Sequence, residues 1–280
     1  MNTLISNINL QEPELRHILT EVKNITGFDF SLYSYGFIKR RTEYFMFKNN
    51  VFLETELIYR LNNSLNFAGA FVNNVFFQQY ELFRDAEAWN YIDEKILPKL
   101  LKKSEIKIYF PFSSGTEDIY SFLFLLNRYK NENFHIFITG VTDKHILEIK
   151  KAVFSKNHVK ASEKNIGLFN FTLDKDDVFI SANENYKVKK EFKGTLHFNT
   201  CDFFKNQYLS EFDLVFFRNK MIFFNEELKA KALNFVVRSL KKGAYLILGE
   251  KERINTSAEK KIKQLHKGLS IYKRKTFSLS

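Results

Sequence analysis

FDLVFFRNKMIFFNEELKAKALNFVVRSLKKGAYLILGEKE, residues 212–252, decides how this 280-residue chain is read. It opens with a continuous apolar run, FDLVFF (212–217), stopped by Arg218, Asn219 and Lys220. A stretch with helical spacing follows, NEELKAKALNFVVRSL (225–240), then a Lys241-Lys242-Gly243 turn and a second apolar run, AYLILG (244–249). Short unbroken apolar runs bounded by turns suit strands covered on both faces, which is the environment of a parallel sheet. A helix between two such strands predicts a right-handed crossover.

The same alternation extends upstream. IKIYF (106–110), DIYSFLFLLNRYK (118–130), FHIFITG (134–140) and KHILEIKKAVFS (144–155) read as strand, helix, strand and helix. GTLHFN (194–199) supplies another strand, and LSIYKRKTFSLS (269–280) a last one. Between them DDVFISAN (176–183) and NYKVKKEF (185–192) read as an added β-hairpin within an insertion at about 156–194. The N-terminal part is helical instead. PELRHILTEVKNIT (13–26) spaces Leu15, Ile18, Leu19 and Val22 along one face, with Pro13 in the first turn and Gly27 as the stop. SYGFIKRRTEYFMFKN (34–49) and LETELIYRLNNS (53–64) complete a three-helix bundle, and Asn73 to Asp85 is the connection. The expected organisation is a helical domain at 1–75, a linker and helix at 76–104, and an α/β domain at 105–280.

Composition narrows the function classes. The apolar runs are far shorter than the roughly 20 residues a membrane helix needs, so no membrane insertion is expected, and the start of the chain has no export-signal pattern. A cytoplasmic monomer is the default expectation. One cysteine, Cys201, excludes an internal disulfide and a cysteine-based zinc site. A net charge of +11 permits an acidic partner without requiring one, since an excess of Lys, Asn and Phe spread along the chain also follows from the codon bias of an AT-rich genome. Without stacking or base-reading motifs beside that charge, nucleic acid is not expected as the partner. Thirty-two phenylalanines against ten glycines leave few positions for backbone to approach a ligand closely.

Three segments together resemble the CheR family of chemotaxis receptor methyltransferases: ITGFDFSLYSYGFIKRRTEYF (25–45), ELFRDAEAWNYIDEKILPKLL (81–101) and the opening stretch 212–252. Their order and spacing match over nearly the whole chain. The resemblance implies a Rossmann-like class I S-adenosylmethionine-dependent methyltransferase fold, with a small N-terminal all-helical domain and an inserted β-hairpin subdomain. It also implies methyl transfer from S-adenosylmethionine to glutamate side chains of an acidic helical partner, a chemoreceptor cytoplasmic domain.

Aligned on the family, the pocket positions carry a mixture of matching and departing residues. In IYFPFSSGTEDIYS (108–121), Phe112 stands at the first glycine position and Thr116 at a later one, and Glu117 is the matching acid. Read without the family, Ser114 and Glu117 form a helix capping box. Gly140 stands where a ribose-binding acid belongs, while Asp143 either caps the next helix or reaches the ribose from a displaced position. Asp202 and Phe203 fall beside the adenine, or are a turn acid over a core aromatic. Asn219, with Lys220 after it, matches the cofactor-side asparagine, which could also serve only to hold the turn, and Phe223 replaces a tyrosine. Arg84 could pair with a cofactor or substrate carboxylate, or lie exposed over an aromatic surface, and Gln78 and Tyr80 replace small polar contacts. Lys39, Arg40 and Arg41 form the cluster that in the family faces the receptor, although a solvated helix face gives the same pattern. The expectation is a CheR-type scaffold whose S-adenosylmethionine pocket is eroded, weakly active or inactive and working through protein binding; the alternative is an active protein-glutamate O-methyltransferase.

Overall fold

The computed structural model describes residues 8–76, 81–129, 133–169, 175–189, 195–200, 211–255 and 257–276. Gln78, Tyr80, Cys201, Asp202 and Phe203 lie outside the described residues. The chain divides into two compact units, Met1–Phe77 with Met221–Lys229, and Gln78–Lys220 with Ala230–Ser280.

In the first unit the helices are α1 (Glu12–Thr26), α2 (Tyr35–Lys48), α3 (Glu54–Asn63) and α4 (Leu65–Val75). α1 starts on a reciprocal capping box between Gln11 and Glu14 and stops at Gly27, whose φ of 73° is the left-handed conformation glycine adopts freely. Leu15, Ile18 and Val22 are its buried stripe. LNFAGAFVNNV (65–75) falls in the expected helical domain without an expected helix of its own, yet it forms α4: Ser64 caps it by accepting from the Phe67 N–H, and it buries Ala68, Phe71, Val72 and Val75. The bundle therefore has a fourth helix, and the connecting segment begins later than Asn73. Phe28, Phe30, Tyr33, Phe71 and Phe76 pack ring against ring around it, with centroids 4.7–6.4 Å apart. Phe223 is buried in this unit against Phe37, at 4.7 Å between centroids.

In the second unit a helical stretch, α5 (Ala86–Tyr91) and α6 (Leu97–Leu100) with a π-turn between them, precedes the sheet. The elements then run β1 (Ile106–Ser113), α7 (Glu117–Asn127), β2 (Phe134–Gly140), α8 (Asp143–Lys151), β3 (Val153–Ser155), α9 (Lys156–Gly167), α10 (Lys175–Val178), β4 (Phe179–Ala182), β5 (Asn185–Val188), β6 (Thr195–Thr200), β7 (Phe212–Phe217), α11 (Glu226–Ser239), β8 (Leu240–Leu248), β9 (Ile262–His266) and β10 (Leu269–Arg274). The main sheet has the order β6-β2-β1-β7-β8-β10-β9. The first five strands are parallel, and β10 runs antiparallel to both neighbours. β3, β5 and β4 form a separate antiparallel sheet.

β8 begins at Leu240, opposite Phe212, so the Lys241-Lys242-Gly243 segment belongs to the strand, with Gly243 at φ 76° where the register shifts. Residues 153–155, read as the end of a helix, are β3, because Tyr186 of β5 pairs with Phe154. β9 went unread: IKQLH shows no clear apolar alternation, and it is held by register with β10.

Near the amino end of β7, the central strand, Asp213 is completely buried and accepts hydrogen bonds from Lys103 (2.5 Å), Lys241 (2.8 Å) and the Lys107 N–H (2.9 Å). These donors hold its carboxyl below the usual carboxylate range although burial pushes the other way. Removing the carboxylate would strand two lysine ammoniums, both still partly solvated. Asp213→Ala is expected to cost about 2 kcal/mol, below the range for fully buried pairs because solvent takes up part of the loss. The check is a fall in urea midpoint at unchanged slope.

Candidate active site

β1 and β7 are neighbours, but the chain leaves β1 toward β2 and β6 on one side and leaves β7 toward β8 on the other. In open α/β sheets this reversal opens a crevice at the carboxyl ends of the strands, where ligands bind. The residues after β1, β2, β7 and β8 are therefore the candidate site.

After β1 the chain makes a bulge. Phe110 pairs with Ile138 and Ser113 with Gly140, so two residues of β1 oppose the single Thr139. Phe112 absorbs the extra length at φ 54°, with its ring buried. A bulky residue in that conformation is an outlier whose backbone costs about 1–3 kcal/mol. Glycine would take it without strain, as the alignment at this position implied. The Thr139 hydroxyl supports the bulge, 2.9 Å from the Tyr109 hydroxyl and 3.4 Å from the Phe112 N–H.

α7 then starts at Glu117, one residue after its Thr116 cap, and the expected Ser114–Glu117 capping box is not formed. Burial dominates the Glu117 carboxyl and lifts its pKa to about 8, against the pull of the backbone N–H groups at the start of the helix. It thus keeps a proton at neutral pH. After β2, Thr142 is the cap of α8, accepting from the His145 N–H at 3.3 Å. Asp143, expected either as the cap or as a displaced ribose contact, is not the cap, and its carboxylate accepts from the Thr200 hydroxyl at 2.6 Å. His145 is buried and neutral, its pKa lowered to about 4 by burial and then by Lys220 and Lys144. A Cβ built on Gly140 would lie 2.6 Å from Ile146 Cγ1 and 2.7 Å from its Cδ1, so Ile146 fills the direction a side chain would take.

The turn after β7 is held by a residue the sequence reading passed over. Glu252 Oε2 accepts from the Asn219 N–H and from the Gly249 N–H, both at 2.8 Å, and so joins the ends of β7 and β8. Asn219 sits at φ 54°, a conformation asparagine tolerates better than most residues. Its side chain packs so tightly that any Cβ at position 249 would come 2.3 Å from Asn219 Oδ1, which explains Gly249. Asn219 Nδ2 is buried and has no hydrogen-bond partner among the described residues. Lys220 is partly buried, and burial lowers its pKa while Asp118, Glu252 and Glu117 draw it back up.

Arg218 stops an apolar run and belongs to the segment that resembles the family, but the sequence assigns it no role. It is 1% exposed and bonds Asp118 and Asp85, both at 2.7 Å, and the Arg84 carbonyl at 2.6 Å, with its guanidinium 5.2 Å from the Trp89 ring centre. Arg84 contributes that carbonyl, while its side chain is 43% exposed and lies 3.9 Å from Asp85. The signal that could have exposed Arg218 is its position: a cation at the end of a fully buried strand must have carboxylate partners.

Of the basic cluster on α2, Lys39 bonds Asn9 Oδ1 at 2.7 Å and pairs with Glu43 at 3.7 Å, and Arg41 donates to the Asn74 carbonyl and lies 5.4 Å from the Tyr44 ring centre. Arg40 is the exposed member. Among the described residues there is no group of three or more metal-ligating side chains, and no helix is long and apolar enough to cross a membrane.

The strand order, with its antiparallel strand between β8 and β9, and the crevice at the β1–β7 reversal define a Rossmann-like methyltransferase fold of class I. Residues 78–268 match the model of the CheR methyltransferase, SAM binding domain, and the chain belongs to that family. It is 24% identical over 250 residues to a chemotaxis protein methyltransferase of Listeria innocua, an alignment covering 89% of this chain and 93% of that protein. A chemotaxis protein methyltransferase of Borreliella burgdorferi is 26% identical over 267 residues, covering 89% and 90%.

Burial of Glu117 gives a pH dependence with a fixed sign. Unfolded, the carboxyl ionises near 4.5; folded, it holds its proton to about 8. Its contribution is present below the lower value and lost as pH rises toward the upper one. His145 acts in the opposite sense between 6.5 and about 4, so above pH 6.5 Glu117 is the member of this pair still titrating. Comparing urea midpoints at pH 6.5 and 8, Glu117→Gln is expected to be spared a loss of about 1–2 kcal/mol that the parent protein shows.

Proposed function

We propose that this chain is a CheR-type protein that keeps the family scaffold but binds S-adenosylmethionine weakly or not at all, and acts chiefly through protein binding in a chemosensory-like system. The observation that carries this reading is the packing of Ile146 over Gly140. A ribose needs a bidentate acceptor at the end of β2, and here the position has no carboxylate, and Ile146 would have to shift to admit one. Phe112 supports the same reading, since its buried ring stands at the bulge where a glycine would let backbone approach the ligand. Each lost contact is worth on the order of 1–3 kcal/mol. Two together weaken binding by roughly a hundredfold or more.

The cofactor would supply an electrophilic methyl group. A glutamate carboxylate of a partner is already a nucleophile, so the protein's task is positioning and exclusion of water. Loss of the hydroxyl at Phe223 is therefore tolerable for chemistry, whereas loss of ligand binding is not. The exposed Arg40, with Lys39 and Arg41 on the same helix, supports docking on an acidic helical partner such as a chemoreceptor cytoplasmic domain.

One observation favours the second reading, an active protein-glutamate O-methyltransferase: Asn219 Nδ2 is a buried donor without a partner among the described residues, close in sequence to the retained turn. An orphaned donor is costly to bury, and a ligand acceptor would satisfy it.

Calorimetric titration decides between the two. The parent protein is expected to give no saturable heat with S-adenosylmethionine at millimolar concentration, and micromolar binding would establish the second reading. Phe112→Gly combined with Gly140→Asp and Ile146→Ala is expected to gain at least about tenfold in affinity. No gain in a folded triple variant would place the defect elsewhere.

A further inference from the structure

The last antiparallel pair of the main sheet, β9 with β10, carries a like-charge cluster that its own packing does not call for. Residues 258–276 hold seven Lys and Arg against one acid, Glu259. Lys263 and Lys273 stand directly opposite one another in the register. At the end of the pair the Lys275 N–H bonds the Lys261 carbonyl at 2.8 Å, which brings two more lysines together. None of the four has a carboxylate partner among the described residues, and like charges directly opposite on a sheet are destabilising. Lysine on an edge strand keeps foreign strands away, which accounts for those of β9. It does not account for Lys273 and Lys275, since β10 is an inner strand bonded on both sides. Arg274, between them, is turned to internal use, donating to the carbonyls of Arg238 and Leu240. Leu240 opens β8, so the cluster lies toward the amino end of the parallel strands, away from the crevice.

We propose that Lys261, Lys263, Lys273 and Lys275 form a docking face for an anionic lipid surface, held by charge alone. Lys261, Lys263 and Lys275 are exposed and Lys273 is partly so. Their ammoniums are compact point charges, matched to a layer of phosphate headgroups whose anions have no fixed arrangement. Recognition of carboxylates or of nucleic-acid bases would draw instead on the arginine fork or on open aromatic rings. Here Arg274 is occupied, and Tyr245 and Tyr272 beside the cluster are each 6% exposed. No large apolar side chain among the described residues of this pair is exposed, so nothing there would insert. The repulsion between Lys263 and Lys273 is relieved when anionic headgroups lie against them, and that relief favours the bound state. Each lysine near such a surface strengthens partition about fivefold.

The test is cosedimentation of the full chain with phosphatidylcholine vesicles, plain or with about 30% phosphatidylglycerol, at roughly 0.1 M salt. The parent protein is expected to bind only the anionic vesicles. Lys261→Gln, Lys263→Gln, Lys273→Gln and Lys275→Gln together should weaken that binding at least about fiftyfold. Lys144→Gln, Lys150→Gln, Lys160→Gln and Lys164→Gln, at exposed positions of α8 and α9, remove the same charge and should change it less than about fivefold. Lys263→Glu guards against a variant that merely unfolds. Facing Lys273 it makes an ion pair, so its melting midpoint should match or exceed the parent's while vesicle binding falls about 25-fold. No binding by the parent, equal losses in the two fourfold variants, or undiminished binding by a folded Lys263→Glu would overturn the proposal. So would tighter binding of duplex DNA at equal phosphate concentration, lost with the same four lysines, which would make this a nucleic-acid face.

Discussion

The α/β unit depends on one buried cation. Arg218 is sealed from solvent at the end of β7, and an isolated guanidinium there would cost several kcal/mol. Its cost is offset by Asp118 at the start of α7, by Asp85 in the turn before α5, by the Arg84 carbonyl and by the face of Trp89. The partners come from two segments, residues 84–89 and the start of α7, so the pairing fixes both of them against the end of β7. It also explains why the turn at 83–85 persists, since Phe83 and Asp85 both hold positive φ there. Side-chain acceptors pin that turn further: the Leu82 N–H donates to Ser162 Oγ and the Phe83 N–H to Ser121 Oγ, both at 2.8 Å.

With the Arg218 knot in place, the strand ends can carry unusual backbone. Phe112 and Asn219 both sit at φ 54°, on the two strands that flank the reversal. Strain of this kind collects at functional sites and persists only where the surroundings over-determine it. Thr139 does this for the bulge at Phe112, and Glu252 for the turn at Asn219. The site is thus rigid in its backbone even where its side chains depart from the family pattern. Loss of ligand contacts and retention of scaffold are then compatible in one molecule, because the groups that shape the crevice are separate from those that would grip a nucleoside.

Much of the fold was legible because it is written in period and punctuation. FDLVFF and AYLILG announced buried strands, and α1 announced itself through its stripe, its first-turn proline and Gly27. What escaped were elements whose stability is tertiary. α4 has no strong polar face to mark it, and β3 and β9 are strands by pairing alone. The site was legible position by position where backbone conformation dictates residue type, as at Phe112, where a glycine-like φ meets the family's glycine. It was not legible where long-range partners decide the role. Nothing near Glu252 in sequence says that its carboxylate joins two strands, and nothing near Asp143 says that Thr200 takes it up.

The burial that hides these partners also sets the electrostatics of the crevice. Within this unit Glu117 is driven toward its neutral form and His145 likewise, both by loss of solvent. Two groups that would be a carboxylate and a partly charged imidazole in water become an uncharged donor and an uncharged ring at neutral pH. The charges that remain at the strand ends are then Arg218, the two aspartates that bond it and the Glu252 carboxylate that joins β7 to β8. The charge at these strand ends is thus held in internal pairs, and the retained acid that the alignment singled out takes part in it as a neutral group.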